Sequence, residues 1–513
     1  MKKISFKFSL YTLLLIFLAS CNKDLGNYEY TDLDSITITG FEESYIGYMG
    51  QPLIIKPELK STDGKPVDAD DYEYDWFAID KNTINDIGKR RQLTKEAELN
   101  LDLALPASTY SLYFRAKNKE TGYTFQHSVS LLVTNIISSG WLVLNDINGE
   151  ARLDMLNYNT TTNNFTKFVN LLETTGSVEL KGKPLLVYYL NNRDLFTSVA
   201  TNRVYVGTDQ GTYSINNQSL VWNNYRNLKL EIMKPTDDDY HAVKFKSNGN
   251  GISEYMMDKD GSVLFENITG ALLYSSPVNR IGTGAQIKVS KHIAEFYTNS
   301  TNVMYMYDEE NFRLLEHSGN NSSSVIPTFT AASQGIFKSS DFENLELLYM
   351  ECANTTTKQF YALFKNKVNN EISLLRFTRP SAASLNALDY IKINSLTNLD
   401  KADFYAVDPS LGFLMYSVDN KVYQFNPFTN EHKAIFDLGP RKISLLKYQR
   451  IVNSKSNTRY IDYSNHLMLC TYDTTNPNTS GKMELYKINL SSNPTLNYVY
   501  DGFGKIVDVS YRE

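Results

Sequence analysis

Cysteine is nearly missing from these 513 residues: there are three, Cys21, Cys352 and Cys470. That excludes a disulfide framework and leaves a single Cys352–Cys470 bridge as an open pairing. An excess of one charge is also missing. Lys and Arg number 51 against 57 Asp and Glu, a net charge of −6, so there is no basic footprint for nucleic acid. The chain has no Gly-Gly doublet, no Gly-His…Trp-Asp pattern, no phosphate-binding loop, no G-x-G-x-x-G and no G-x-S-x-G elbow. It therefore lacks the usual signatures of nucleotide cofactors, α/β-hydrolase nucleophiles and the WD40 or kelch repeats. Six histidines, His127, His241, His292, His317, His432 and His466, stand outside HExxH and HxH and away from cysteine at zinc-ligand spacing. The expectation is a protein without metal, cofactor or catalytic residues. What is present is aromatic: 13% Phe, Trp and Tyr, with 42% hydrophobic and 21% charged residues, a globular and not a disordered composition.

The first twenty residues read as an address. Lys2, Lys3 and Lys7 form a basic start, and residues 10–18 form a short apolar run, well below the roughly twenty residues a membrane-spanning helix needs. This is the pattern of a signal peptide. It ends in Leu18-Ala19-Ser20-Cys21, which resembles the lipobox of bacterial lipoproteins. That resemblance implies cleavage before Cys21 and lipidation of its thiol, with several acyl chains giving a firm anchor. Asn22-Lys23-Asp24 follows. Lys23 and Asp24 resemble the surface-export signal of Bacteroidota lipoproteins, implying an outer-membrane protein facing the exterior. Residues 21–34 then read as a tether.

Two β-rich parts come next, so the expected class is all-β. In residues 35–135, Tyr72, Tyr74 and Trp76 alternate with polar positions, as do Leu99, Leu101, Leu103 and Leu105, then Tyr110, Leu112, Phe114 and Ala116, then Val129, Leu131 and Val133. Period-2 runs at about ten-residue spacing predict an antiparallel sandwich with Trp76 between its sheets. The stretch from Thr109 to Ala116 resembles the late strand of an Ig-like PKD module, although the Trp-x-Phe-Gly-Asp-Gly of that module is replaced by Trp76-Phe77-Ala78-Ile79.

Residues 138–513 contain paired strand-like segments that recur at a period of about 55 residues, as blades of a β-propeller would. Seven pairs can be counted, with six or eight as alternatives. Each pair reads as the inner hairpin of a blade. Residues 505–511, Lys-Ile-Val-Asp-Val-Ser-Tyr, are expected to close the ring by pairing into the first blade, which removes exposed edges.

The lipobox, the PKD-like module and the Ser139-Gly140-Trp141-Leu142-Val143-Leu144 stretch together resemble the PKD-like lipoproteins of Bacteroidota. The resemblance implies partnership with a SusC-type TonB-dependent transporter and a SusD-type lipoprotein, and a role as an accessory subunit in nutrient import. An enzyme acting on glycans as a hydrolase or lyase, or a pure scaffold on the transporter, are the alternatives. Candidate ligand-binding residues are Trp222, Tyr225 and Arg226, and a second cluster of Tyr188, Tyr189 and Arg193. Aromatic faces beside Asn and Arg suit a glycan by stacking, or an oligopeptide. Asp237-Asp238-Asp239 and Asp258-Lys259-Asp260-Gly261 carry hard oxygen ligands but read as a solvated loop and a hairpin turn.

Overall fold

The computed structural model describes residues 36–48, 51–62, 67–81, 90–105, 108–134, 139–159, 163–174, 180–190, 203–216, 227–233, 236–247, 253–267, 273–298, 301–319, 321–333, 335–354, 358–449 and 458–512. The leader, Cys21, Lys23 and Asp24 lie outside them. The chain forms two compact units divided between Thr134 and Asn135.

The first unit is built around a five-stranded sheet in the order Ser44–Tyr48, Thr124–Thr134, Ser108–Asn118, Tyr72–Asp80, Arg90–Thr94. Two short pairs accompany it: Ile36–Thr39 with Glu58–Ser61, and Pro52–Ile55 with Leu99–Asp102. The alternation in the sequence sorts the faces. Tyr110, Leu112, Phe114 and Ala116 are all buried, as are Val129, Leu131 and Val133. Trp76 is fully buried, pairs in register with Phe114 and donates its indole N–H to the Glu96 carbonyl at 3.1 Å. One departure from the expected antiparallel arrangement is the edge strand Ser44–Tyr48, which runs parallel to Thr124–Thr134. A parallel partner is reached by a long connection and not by a hairpin, so alternation alone does not encode it.

The second unit is a seven-bladed propeller. Its sheets take their inner strands from Lys505–Arg512, Pro184–Leu190, Ala242–Ser247, Ala294–Thr298, Leu345–Asn354, Phe404–Val407 and Lys442–Tyr448, for blades 1 to 7 in that order. Each inner strand touches the next around the ring, and the strand of blade 7 touches that of blade 1. Blade 1 is completed by the end of the chain: Lys505–Arg512 pairs antiparallel with Gly140–Ile147, Trp141 opposite Tyr511. Outside it lie Glu150–Asn159 and Asn164–Phe168. Gly140 opens this blade at φ 148°, and a Cβ there would sit 1.9 Å from the Leu156 carbonyl oxygen, so only glycine fits.

Among the described residues, seven separate apolar cores lie between neighbouring blades, and none lies within a single blade. Each sheet is apolar on both faces for this reason, and the second strands read as nearly continuous hydrophobic runs. Tyr205, Tyr255, Tyr305 and Tyr361 recur on those second strands at intervals of about fifty residues, each fully buried in the core shared with the next blade.

The strand pairs recognised in the sequence are inner hairpins only in blades 3 and 4. In blades 1, 2, 5, 6 and 7 they are the second and third strands. The inner strands of blades 2, 5 and 7 escape detection because they are bulged. Register shifts place an extra residue, Leu185, Leu348 or Ser444, in them. A bulge breaks the period-2 signal at that point. Cys352 in blade 5 and Cys470 in blade 7 are both buried and do not form a bridge.

Closing the ring makes Tyr511 a core residue. Replacing Tyr511 with Ala is expected to cost about 3–5 kcal/mol in chemical denaturation, as for other buried aromatics. Leu496→Ala, on an exposed outer position, is expected to cost less than about 0.5 kcal/mol. Equal losses would contradict closure by the terminal strand.

Candidate functional site

Three places in the propeller gather polar or aromatic side chains. The first is the inner ring. Lys447 of blade 7 reaches Asp508 of blade 1 at 2.6 Å, and the other Asp508 oxygen accepts the Val187 amide of blade 2 at 3.0 Å. The Tyr189 amide donates to Ser510 Oγ at 3.0 Å, Tyr448 donates to Asp408 at 2.7 Å, and Lys246 of blade 3 pairs with Glu351 of blade 5 at 3.1 Å. These groups are spent on joining blades.

The second is a carboxylate cluster between blades 2 and 3. Arg203 forks onto both oxygens of Glu266 at 3.0 and 3.2 Å and donates to the Tyr205 hydroxyl at 2.8 Å, while Tyr205 donates to Glu231 at 2.7 Å. Glu254 accepts from Tyr274 and lies beside Glu266. Burial, and then the neighbouring Glu266 carboxylate, push the Glu254 carboxyl well above the usual range, which favours its protonated form. Two converging carboxyls are what a glycoside hydrolase needs, but Glu254 and Glu266 are completely buried and serve packing.

The third is an open groove of about 800 Å³ at the seam where blade 7 meets blade 1. Blade 7 contributes its outer strand Thr495–Phe503, on which Tyr498 and Tyr500 alternate with the exposed Val499 and Asp501 and so share one face. Tyr463 joins them from the short helix Thr458–Ser464. Blade 1 contributes Tyr158, Phe165 and Lys167, with Asn163 from the turn before its outer strand and Asn164 at that strand's start. The rings meet edge to face: Phe165 with Tyr500 at 5.3 Å, Tyr158 with Phe165 at 5.2 Å, Tyr463 with Tyr498 at 5.1 Å. Hydroxyls fix their tilt, Tyr158 donating to Asn163 Oδ1 and Tyr498 to Asp462, both at 2.7 Å. Lys167 crosses the seam and donates to the Asp501 and Gly502 carbonyls, each at 3.2 Å, with its ammonium 5.5 Å from the Phe503 ring.

The structure places the residues singled out from the sequence elsewhere. Trp222, Tyr225, Arg226 and Arg193 lie outside the described residues. Tyr189 is only 3% exposed, inside the core between blades 1 and 2, so its face is not offered to a ligand. Tyr188 is half-buried and stacks on Phe245 of blade 3 at 5.6 Å. The apparent Tyr-Tyr pair is thus two faces of an inner strand, each packed against a different neighbour. Asp258 accepts the Asp260 and Ser262 amides at 3.0 and 2.8 Å, capping a hairpin turn, and Asp239 pairs with Lys259. His317 accepts the Tyr255 hydroxyl on Nδ1 at 2.8 Å and donates from Nε2 to the Asn321 carbonyl at 2.6 Å; burial lowers its pKa, in keeping with a neutral ring. The Tyr498-Val499-Tyr500 alternation was a visible signal for the groove. Its other wall, some 330 residues earlier, was not.

A model of the PKD-like family matches residues 21–184, which takes in the sandwich and the strands of blade 1 that precede blade 2. No curated protein matches the chain in sequence. Among solved structures, a quinoprotein alcohol dehydrogenase-like protein from Bacteroides thetaiotaomicron overlaps with a TM-score of 0.41 at 12% identity, covering 92% of this chain and 94% of that one. A DUF4784 family protein from Bacteroides caccae overlaps with a TM-score of 0.30 at 8% identity, covering 93% and 98%. The C-terminal WD40 domain of Sif2 overlaps with a TM-score of 0.39 at 10% identity, covering 73% and 91%. These overlaps are loose, and the description as a propeller rests on the strand pairing itself.

The buried cluster makes a pH prediction. A carboxyl whose pKa is raised by folding favours the folded state at pH below the ordinary carboxyl range and loses that contribution as pH rises. Glu254→Gln keeps the shape and removes the proton exchange. Its thermal midpoint relative to the parent protein is therefore expected to climb as pH rises above the ordinary carboxyl range. A difference independent of pH would contradict the assignment.

Proposed function

We propose that this protein is a lipid-anchored, non-catalytic binding subunit on the outer face of the outer membrane, accessory to a SusC/SusD-type importer. The anchor is Cys21, and Lys23 and Asp24 direct the chain outward. The propeller presents a recognition face for an oligopeptide or a glycan, and the sandwich acts as a spacer or docking piece.

One observation carries the binding part: the open aromatic groove at the seam of blades 7 and 1, with half-buried rings and amide side chains at its rim. A groove of this size falls within the range of small-ligand sites. The converging carboxyls of the molecule are instead sealed away from it, which favours binding over turnover. The anchor and the importer partnership rest on the resemblance of the N-terminal stretch and of the PKD-like segment.

Affinity purification of the tagged, lipidated protein from detergent-solubilised outer membrane tests the subunit role. Recovery of a TonB-dependent transporter and a SusD-type lipoprotein in comparable amounts is the expected result; recovery of the protein alone would contradict it. Cys21→Ala is expected to move the protein out of the membrane fraction. An unchanged membrane fraction would contradict the anchor.

A further inference from the structure

Building on the binding role proposed above, we infer that the seam groove takes a neutral oligosaccharide, with Tyr498, Tyr500 and Phe165 as its stacking surfaces. Sugar rings carry an apolar face of C–H groups and an equator of hydroxyls, so they bind where aromatic faces stand beside amides and carboxylates. The groove offers both. Phe165, Tyr498 and Tyr500 are half-buried, and their edge-to-face partners hold them upright before any ligand arrives, which lowers the ordering cost of binding. Asn163, Asn164 and Asp501 stand at the rim with donors and acceptors.

Charge argues for a neutral ligand. The groove's cation, Lys167, is already engaged by two backbone carbonyls and faces a single carboxylate, Asp501, on the opposite wall. An acidic ligand would meet a cation with one N–H donor left, in a groove that also carries the Asp501 carboxylate.

Backbone geometry argues against a peptide. A peptide held by strand addition needs a regular edge. The edge strand Thr495–Phe503 is bulged twice, leaving Asn497 and Gly502 without a ladder partner. The Asn497 amide donates to His466 Nε2 at 2.7 Å, and Gly502 has φ 73°. Bulges of this kind stop further pairing.

The test is calorimetric titration of the purified full-length protein with cellohexaose, maltohexaose, xylohexaose and mannohexaose, and separately with a tryptic digest of casein. At least one hexasaccharide is expected to bind. The double variant Tyr498→Ala and Tyr500→Ala is expected to weaken that binding by about tenfold or more, equivalent to at least about 1.4 kcal/mol. Tyr498→Phe, which keeps the ring, should retain it, and Asn164→Ala, at an exposed rim position, should weaken it about two- to tenfold without altering the fold. A hexasaccharide that binds the wild type and all variants equally would overturn the groove assignment while leaving the binding role standing. Casein peptides binding in place of every sugar would overturn the ligand class alone. Binding of neither would overturn this inference and the ligand-binding role together.

Discussion

Every blade of this propeller is apolar on both faces, so no blade is stable until it has a neighbour on each side. The seven inter-blade cores form an unbroken circuit, and a gap anywhere would expose two apolar sheet faces at once. The chain solves this at its own end. Lys505–Arg512 supplies the inner strand that residues 140–168 lack, and Trp141, Tyr463 and Tyr511 lock the joint with ring contacts of 4.8 to 5.2 Å. Polar groups on the inner strands add a second circuit. Asp508 alone ties blade 1 to blades 2 and 7 through Val187 and Lys447.

The seam also carries a surface built from irregularities of blade 7. The helix Thr458–Ser464 sits in blade 7 between its first and second strands and places Tyr463 under the groove. The two bulges of the outer strand aim Tyr498 and Tyr500 at blade 1 and consume the edge that could otherwise recruit a foreign strand. Lys167 satisfies the carbonyls that the second bulge leaves exposed. The same distortions therefore protect the edge and shape a groove with upright aromatic rings. Loops and edges of a rigid scaffold are the usual place for recognition, because they vary without disturbing the core.

Some of this was legible in the sequence and some was not. Alternation identified the sandwich strands correctly from Tyr110 to Ala116 and from Val129 to Val133, because each buries one face only. The closing strand was legible because Ile506, Val507 and Val509 set an apolar, β-branched run, as in a paired strand. The inner strands were not, since bulges at Leu185, Leu348 and Ser444 shift their phase. The recurring buried tyrosines of the second strands are visible in the sequence, but their role appears only once neighbouring blades are in contact. Tyr188 and Tyr189 misled for the complementary reason: an aromatic pair on a strand buried on both sides looks like a binding patch when the second packing partner is unknown. The groove itself joins residues more than 300 positions apart, a proximity that no local pattern encodes.

The central claim, that the terminal strand closes the ring and so creates the seam, is tested most directly by hydrogen–deuterium exchange. Amides of Lys505–Arg512 and of its partner Gly140–Ile147 are predicted to exchange together, as slowly as the second strands of the other blades, opening only when the whole ring opens. Fast exchange of Lys505–Arg512, with Gly140–Ile147 and the remaining blades still protected, would contradict it.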